Sequence, residues 1–341
     1  MKVREALHEV VRGQTLEAEA MHAVVGEVLA GESDPVAFGG LLATLALRGE
    51  TREEILGAAR AMRAAMRPFE HDSPDAIDTC GTGGSGLDTF NVSTAGAVVA
   101  AAAGAKVIKH GNRSASSKCG SADLLEELGI PLELSPEAAR AVLEECGITF
   151  LFAPVYHPAM RHAGPIRKSL GLRTIFNLLG PLCHPGGVRR QLLGVSDPSR
   201  VEDLAAVLTE LGAERALVVH GGGGADELTL AGQNLVRAVG ELPAGGFDPA
   251  DLGLAVTPVA ASRGGDARHN AATFAALLDG DDPPARELVL LNAGAALVVA
   301  GLAQDAREGY ERAREALASG SAREKLAAWR RAASKRAEAA S

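Results

Sequence analysis

The hydrophobic and polar positions of the chain follow one pattern up to about residue 66 and another from about residue 70. The first part carries helix start motifs. Asp34-Pro35 is typical of a cap followed by proline at the first helical position, and Thr51 with Glu54 matches a capping box. Small residues in VAFGGLLATLALRG, at 36–49, permit close packing between helices. This pattern predicts a set of short helices over residues 1–66.

The second part predicts strands that alternate with helices. An Ala/Val-rich helical run extends from 92 to about 103, and three further helices are expected to open at Ser121, Ser135-Pro136 and Asp197-Pro198. Such alternation is typical of a mostly parallel sheet covered by helices. The strand-like apolar runs lie at 105–108, 148–152, 191–195 and 216–219.

Two segments depart from this alternation. Residues 157–182 form a helical, basic interruption, and residues 322–339 predict a basic, Ala-rich helix that we expect to be a solvated surface element. We therefore predict an α/β fold, with a small all-helical N-terminal domain plus a large domain whose mostly parallel central sheet is flanked by helices. The expected domains are 1–68 and 72–341.

Composition and charge exclude some classes of function. The 341 residues are 47% hydrophobic but only 3% aromatic, so the core must be mostly aliphatic. A net charge of −9 argues against a general nucleic-acid surface. Neither a membrane-spanning apolar run nor a signal-peptide pattern is present, and the four cysteines lack C-x-x-C spacing. We expect a soluble cytoplasmic protein with free thiols, without nucleic-acid or membrane partners.

Two groups of small and polar residues are each suited to bind a phosphate. The first is the glycine turn 81–86, GTGGSG, followed by the helix start NVST at 91–94. Glycine lets the backbone approach a ligand closely, and free N–H groups at a helix start favour an anion. The second is KHGNR at 109–113 with the serines that follow. Two such groups, close together in sequence, suit a substrate with two phosphate groups.

The glycine turn alone is weak support for a ligand site. GTGG matches neither the P-loop pattern nor the dinucleotide G-x-G-x-x-G pattern, and a tight turn would explain it equally well. Its occurrence together with NVST and KHGNR favours phosphate binding. Basic residues expected to make this cleft locally positive are Lys109, Arg113, Lys118, Arg167, Lys168 and Arg173.

A third motif is the pair Asp226-Glu227, which follows an apolar run and a four-glycine turn at 221–224. This places the pair at the carboxyl edge of the sheet, where open α/β sheets bind ligands. Adjacent carboxylates suit a hard cation such as Mg²⁺. An acidic pair that stabilises a helix start is the alternative interpretation.

Together these motifs resemble the anthranilate phosphoribosyltransferase family, of the nucleoside phosphorylase and class III phosphoribosyltransferase fold. The resemblance extends through RTIFNLLGPL at 173–182, HGGGGADELT at 220–229, GGDARHNA at 264–271 and LNAGAAL at 291–297, nearly the whole chain. KHGNR is shared with the pyrimidine nucleoside phosphorylases. TFNVST and RTIFNLLGPL favour the anthranilate enzymes.

The resemblance implies transfer of the phosphoribosyl group of 5-phosphoribosyl 1-diphosphate to anthranilate in tryptophan biosynthesis, and a homodimer formed through the helical domain. It also implies that 72–341 is the phosphoribosyl-binding and catalytic domain, and that 157–182 packs onto the N-terminal helices. Asn112 and Arg167 would hold anthranilate. For His110, lining the same pocket and a structural role both stay open. The implied substrate-binding residues are Gly81, Gly84, Ser85, Thr89, Asn91, Val92, Ser93, Thr94, Lys109, His110, Gly111, Asn112, Arg113, Ser114, Ser116, Ser117, Ser121 and Arg167.

The same resemblance implies Mg²⁺, with two ions expected, held by Ser93, Asp226 and Glu227. Stabilising the departing diphosphate is electrostatic catalysis. The attacking aromatic amine is neutral at pH 7, so no catalytic nucleophile or base is expected. Positioning the amine beside the reacting carbon should matter most.

Two positions depart from the family pattern. The turn usually reads GTGGDG, and Ser85 stands here in place of the acid; His269 stands where Glu is common, and we assign it no role. Two other functions remain open: a pyrimidine nucleoside phosphorylase, and a non-catalytic nucleic-acid-binding relative. The first would need one phosphate pocket and a pyrimidine site, and the second should be basic.

Overall fold

A computed structural model describes residues 1–114 and 117–340. The N-terminal part is helical, as its sequence pattern predicts. Its helices α1 to α4 are Val3–Val11, Ala18–Leu29, Pro35–Arg48 and Arg52–Ala65.

Local capping explains where two of these helices begin. The Asp34 carboxylate accepts hydrogen bonds from the backbone N–H groups of Val36 and Ala37, and Pro35 occupies the first helical position. Thr51 and Glu54 form the predicted capping box, in which each side chain accepts from the other residue's backbone N–H. Both predicted helix starts are confirmed.

The rest of the chain forms one six-stranded sheet with helices around it, in the order β3-β2-β1-β4-β5-β6. The four pairings among β1 to β5 are parallel, and β6 pairs with β5 antiparallel. The predicted mostly parallel sheet is confirmed, whereas β1 and the edge strand β6 are not among the predicted strand runs. Strands β1 to β6 are Ile77–Gly81, Val107–Gly111, Ile148–Phe152, Arg190–Gly194, Arg215–His220 and Leu235–Val239.

The helices of this part begin close to the predicted positions, except that Asp197-Pro198 opens a short 3₁₀ turn before the next helix. Helices α5 to α10 are Val92–Ala102, Ser121–Glu127, Pro136–Cys146, Ala153–Tyr156, Met160–Leu170 and Phe176–Leu179. Helices α11 to α16 are Val201–Glu210, Pro249–Leu252, Ala267–Leu278, Arg286–Ala300, Ala306–Ala318 and Ser321–Ala340.

Two hydrophobic cores result. One lies around α5 and α14 on one side of the sheet, and the other joins α1 to α4 with α11 and with residues 175–183. Phe176 meets Phe38 of α3 edge to face, with ring centroids 6.0 Å apart. The basic segment therefore contacts the N-terminal helices, while the division of the chain into domains 1–68 and 72–341 stays a prediction.

The C-terminal helix corrects one expectation. We expected residues 322–339 to be a solvated surface element, yet Trp329 is 1% exposed and Ala332 and Ala333 are also buried in the first core. The basic composition is misleading because the charged residues occupy only the outer face of an amphipathic helix.

All four cysteines are free thiols. Within residues 1–114 and 117–340, no helix has the length and apolarity needed to span a bilayer.

Candidate functional site

The candidate site lies where the sheet reverses its strand order, between the carboxyl ends of β1 and β4. On one side of β1 the sheet continues with β2 and β3, and on the other side it continues with β4, β5 and β6. Open parallel sheets bind ligands at such a switch point. The last residues of the two strands, Gly81 and Gly194, are register partners.

Both strand-end glycines are required because the turn carrying Asp226 lies directly over them. A Cβ atom on Gly81 would stand 2.4 Å from Asp226 Oδ2, and one on Gly194 would stand 1.7 Å from the Asp226 carbonyl oxygen. The predicted position of the acidic pair at the sheet edge is thus confirmed, and Asp226 is brought to the glycine turn. Gly83 N–H donates to Asp226 Oδ2 at 2.8 Å.

The two carboxylates are half-buried, and the charge of Asp226 acts on Glu227. Burial raises the pKa of Asp226, opposed by hydrogen bonds that include the Gly83 N–H and the Ser85 hydroxyl. Burial and then the negative charge of Asp226 raise the pKa of Glu227, while the Thr89 hydroxyl lowers it. Glu227 Oε1 is buried with no hydrogen-bond partner among the described residues. A buried carboxylate oxygen that no group of the chain satisfies is free to bind a cation.

A cation fits this donor set. Asp226, Glu227 and Ser93 line one cavity, together with Thr79 and Asn292. No cluster of three or more His, Cys, Asp or Glu residues with metal-site geometry occurs in the described chain. Mg²⁺ does not need one, since it retains waters and binds through one or two carboxylates plus substrate phosphates.

Arg173 holds the glycine turn in place, a role the sequence did not reveal. Its guanidinium donates to the carbonyls of Gly84 at 2.6 Å and Gly83 at 3.1 Å, and to Ser196 Oγ at 3.2 Å. A Cβ on Gly84, where φ is +79°, would lie 1.7 Å from Arg173 Nη1. The turn that binds Asp226 is therefore clamped from its other side.

Lys109 lies beneath the site instead of projecting into it. The side chain is 2% exposed, and its ammonium donates to the Thr79 carbonyl and, at 3.4 Å, to Ser93 Oγ. Burial lowers the pKa of Lys109, whereas nearby Asp78 raises it. Its charge therefore acts on Ser93, on the first turn of α5. On the same turn Val92 and Thr94 are buried, and their backbone N–H groups already donate to the carbonyls of Phe90 and Asn91.

The second predicted phosphate-binding motif, KHGNR at 109–113 with the serines that follow, is folded around the start of α6. The Asp123 carboxylate accepts from the backbone N–H groups of Ser114 and Gly120, and Ser121 Oγ donates to the Asn112 carbonyl. Gly111 allows this contact, because a Cβ there would be 2.3 Å from Ser121 Oγ. Ser114 and Ser117 are hydrogen-bonded to each other, while Ser116 lies outside the described residues.

The charge of Arg113 is used in ion pairs with acidic residues of α6. Its guanidinium pairs with Glu126 at 2.7 Å and with Asp123 at 3.2 Å, both on α6. Its predicted contribution to a positive cleft is therefore largely neutralised.

His110 belongs to a buried group of three imidazoles. Its ring centroid is 5.1 Å from that of His157 and 5.7 Å from that of His184. Burial, and secondarily its two neighbours, holds the pKa of His110 well below the ordinary value, so the ring is neutral at pH 7. Its Nε2 has no partner among the described residues, which leaves both earlier interpretations open.

Arg167 lies on α9 and differs from the other arginines near the site. Its guanidinium stands over the Phe176 ring, 5.2 Å from the centroid, and no hydrogen bond or ion pair joins it to another described residue. Burial lowers its pKa. A half-buried guanidinium without an acidic partner is suited to bind a carboxylate ligand.

Three positioning residues were not predicted: Arg173 as the clamp, Asn292 and Asn270. Asn292 accepts from the Leu228 N–H and donates to the Leu228 carbonyl, which anchors the acidic turn. Asn270 donates to Asn91. Both asparagines occur in the quoted segments LNAGAAL and GGDARHNA, but a lone asparagine in a sequence does not reveal its distant partner.

Comparison with known proteins agrees with this geometry. Residues 73–323 match the model of the glycosyl transferase family α/β domain, and residues 4–66 match the helical bundle domain of that family. An anthranilate phosphoribosyltransferase of Roseiflexus sp. (strain RS-1) is 48% identical over 330 residues, covering 96% of both chains. One of Myxococcus xanthus (strain DK1622) is 49% identical, covering 96% of this chain and 98% of the relative.

Solved structures show the same fold. The crystal structure of anthranilate phosphoribosyltransferase from Thermus thermophilus superposes with a TM-score of 0.89 at 47% identity, covering 96% of this chain and 98% of the other. The Saccharomyces cerevisiae anthranilate phosphoribosyltransferase in complex with PRPP and Mg gives a TM-score of 0.87 at 26% identity, covering 98% of both.

Proposed function

The chain belongs to the anthranilate phosphoribosyltransferases of the glycosyl transferase family, and we propose that the switch-point site described above carries out their reaction. The protein transfers the phosphoribosyl group of 5-phosphoribosyl 1-diphosphate to the amino group of anthranilate. The products are N-(5-phosphoribosyl)anthranilate and diphosphate, in a step of tryptophan biosynthesis. The observation that best supports this placement is the Asp226-Glu227 pair held against the glycine turn.

Mg²⁺ accompanies the phosphoribosyl substrate in the yeast relative, and we propose that Asp226, Glu227 and Ser93 hold it here, as two ions. When bound, the metal neutralises the negative charge of the departing diphosphate. The unpartnered Glu227 Oε1 and the shared cavity support the assignment.

The residues of the chain contribute mainly by binding and orientation. Breaking the bond between ribose C1 and the diphosphate oxygen develops positive charge on the ribose. The glycine turn offers backbone N–H groups to phosphate and the start of α5 offers the positive end of its dipole, while Lys109 adds a buried positive charge beneath Ser93. We propose that Asn112 and Arg167 orient anthranilate, whose neutral amine attacks C1 and needs no protein base.

A direct assay tests the function. Anthranilate, 5-phosphoribosyl 1-diphosphate and Mg²⁺ are mixed with the protein, and loss of anthranilate fluorescence is followed. We expect turnover that requires all three. Phosphate-dependent cleavage of a pyrimidine nucleoside, without anthranilate consumption, would instead indicate a nucleoside phosphorylase.

Ser85 offers a test of electrostatics at the diphosphate. Its hydroxyl lies close enough to Asp226 to lower the pKa of that carboxyl. Ser85→Asp would add a third carboxylate beside the pair, and we expect the Mg²⁺ concentration for half-maximal activity to fall by about fivefold, since one unit charge about 4 Å away in a water-like dielectric is worth on the order of 1 kcal/mol. Titrations of Mg²⁺ measure this, with Ser85→Asn as the uncharged control. Superimposable titrations for all three proteins would show that the position is electrostatically silent.

We also propose a homodimer formed through the helical domain. Val36 and Leu47, at the two ends of α3, are 84% and 89% exposed, the highest values among the large apolar side chains of the described residues. Leu47→Lys is expected to shift the protein from dimer to monomer in light scattering during size exclusion. Leu235→Lys, at an exposed position on β6, is the control. A wild-type monomer at micromolar concentration would contradict the proposal.

A further inference from the structure

The side chain of Asn91 does not perform the role its position suggests. Asn91 is the cap residue of α5, yet its side chain makes no capping hydrogen bond. Instead Asn91 Nδ2 donates to the Cys119 carbonyl at 3.1 Å, and Asn91 Oδ1 accepts from Asn270 Nδ2 at 2.8 Å. The amide therefore bridges two segments that are far apart in sequence.

Asn270 holds the oxygen end of the Asn91 amide in place. It lies on α13, is 1% exposed, and its Oδ1 accepts from the Gly265 N–H at 2.8 Å. Asn270 thus connects the 264–270 segment to the start of α5. Its burial makes the alternative of hydration by bulk water unavailable.

These contacts form one directed chain of hydrogen bonds. It begins at a backbone donor, Gly265 N–H, passes through the amides of Asn270 and Asn91, and ends at a backbone acceptor, the Cys119 carbonyl. A backbone N–H can only donate and a carbonyl can only accept. Both side-chain amides are therefore restricted to a single orientation, and neither can flip without losing hydrogen bonds at both of its ends.

The chain of amides ties together both parts of the phosphate site. Asn91 opens the helix that carries Ser93, and Cys119 lies in the loop between Ser117 and Ser121. An Asn amide has two N–H hydrogens, and only one of the two on Asn91 is used by Cys119. The remaining one is available to a ligand, in an orientation that Asn270 determines.

We propose that Asn270 is a positioning residue for the phosphoribosyl substrate, acting through Asn91. It orients the Asn91 amide and holds the Ser117–Ser121 loop against the first turn of α5. This inference rests on the proposed function, because it assigns Asn270 to the binding of that substrate. A residue that only supported the local fold would affect both substrates equally.

The decisive variant is Asn270→Asp, which is nearly isosteric. It retains an oxygen for the Gly265 N–H, but it places a second oxygen against Asn91 Oδ1 and so breaks the chain at one bond. We expect kcat/KM for 5-phosphoribosyl 1-diphosphate to fall by about ten- to a hundredfold, the usual result of losing a buried hydrogen bond. The KM for anthranilate is expected to change by less than about twofold, since the chain of amides includes neither of the two residues assigned to anthranilate, Asn112 and Arg167.

Two further measurements separate positioning from mere structural support. Calorimetric titration of the Mg²⁺-loaded protein with 5-phosphoribosyl 1-diphosphate should show a matching loss of affinity in Asn270→Asp. In a double-mutant cycle, Asn91→Ala with Asn270→Ala should lose no more than the larger single variant, because both act through one contact. Asn270→Ala removes the amide without introducing oxygen–oxygen repulsion, and it replaces Asn270→Asp in the affinity measurement if that variant does not fold. His269→Ala, exposed on the same helix, is the matched control.

Unchanged substrate affinity in folded Asn270→Asp, or additive losses in the cycle, would overturn the proposal. Equal losses for both substrates would also overturn it and show a structural role. Failure of the proposed function is distinguishable, since the wild type would then fail to consume anthranilate. The calorimetric comparison of wild type with Asn270→Asp does not depend on turnover.

Discussion

Asp226→Asn combined with Glu227→Gln is expected to abolish Mg²⁺-dependent turnover while the protein still folds. Both substitutions preserve side-chain size, and an amide oxygen at 226 can still accept from the Gly83 N–H. What is lost is the negative charge that holds the cation. Metal stabilisation of a leaving group is worth several kcal/mol, so a decrease in kcat/KM of about a thousandfold or more is expected.

The folded state should not suffer from this double substitution. Burial raises the pKa of both carboxyls, which means that their charged forms destabilise the metal-free fold. This cost is absent below the ordinary carboxyl pKa, grows as the pH rises above it, and levels off above the raised pKa values. The melting temperature of the metal-free protein should therefore fall more between pH 5 and pH 8 for the wild type than for the variant.

Steady-state assays across Mg²⁺ concentrations measure the loss of turnover. Glu241→Gln, which removes an exposed carboxylate, is the matched control. Wild-type activity of the double variant at limiting Mg²⁺ would show that the pair does not hold the metal.

Arg167→Ala is expected to weaken the use of anthranilate specifically. The guanidinium has no acidic partner in the described chain and is held over the Phe176 ring, so its charge is available to a carboxylate. Loss of a charge-assisted hydrogen bond costs about 1.5–3 kcal/mol, which corresponds to a decrease of roughly ten- to a hundredfold or more in kcat/KM for anthranilate. The KM for 5-phosphoribosyl 1-diphosphate should change little.

Lys109→Ala provides the contrast, because it should weaken the phosphate-bearing substrate first. The buried ammonium supports Ser93 and the Thr79 carbonyl, so its removal also leaves Asp78 without its nearby positive charge. A lower melting temperature is expected for this variant but not for Arg167→Ala.

Each substrate is varied at saturation of the other to separate the two effects. Lys168→Ala, an exposed neighbour of Arg167, controls for the general charge of α9. If Arg167→Ala weakened only 5-phosphoribosyl 1-diphosphate, the basic segment 157–182 would belong to the phosphate site, and our division of the two substrates would be wrong.

The local structure of this site follows from its sequence because short-range chemistry determines it. Glycines in the 81–84 turn, caps at Asp34 and Thr51, and apolar runs of strand length each depend on neighbours within a few residues. The position of Asp226-Glu227 at the sheet edge also followed, since the carboxyl ends of parallel strands meet at one edge.

By itself, then, the sequence determined the family, the α/β fold and the approximate position of the acidic pair. Only the tertiary structure decided that Lys109 is buried under Ser93, that Arg113 is neutralised by Glu126, and that Asn270 orients Asn91. The physical reason is sequence separation. Asn91 and Asn270 are 179 residues apart, and the direction of their hydrogen bond depends on the backbone groups of Gly265 and Cys119 that folding brings to either end.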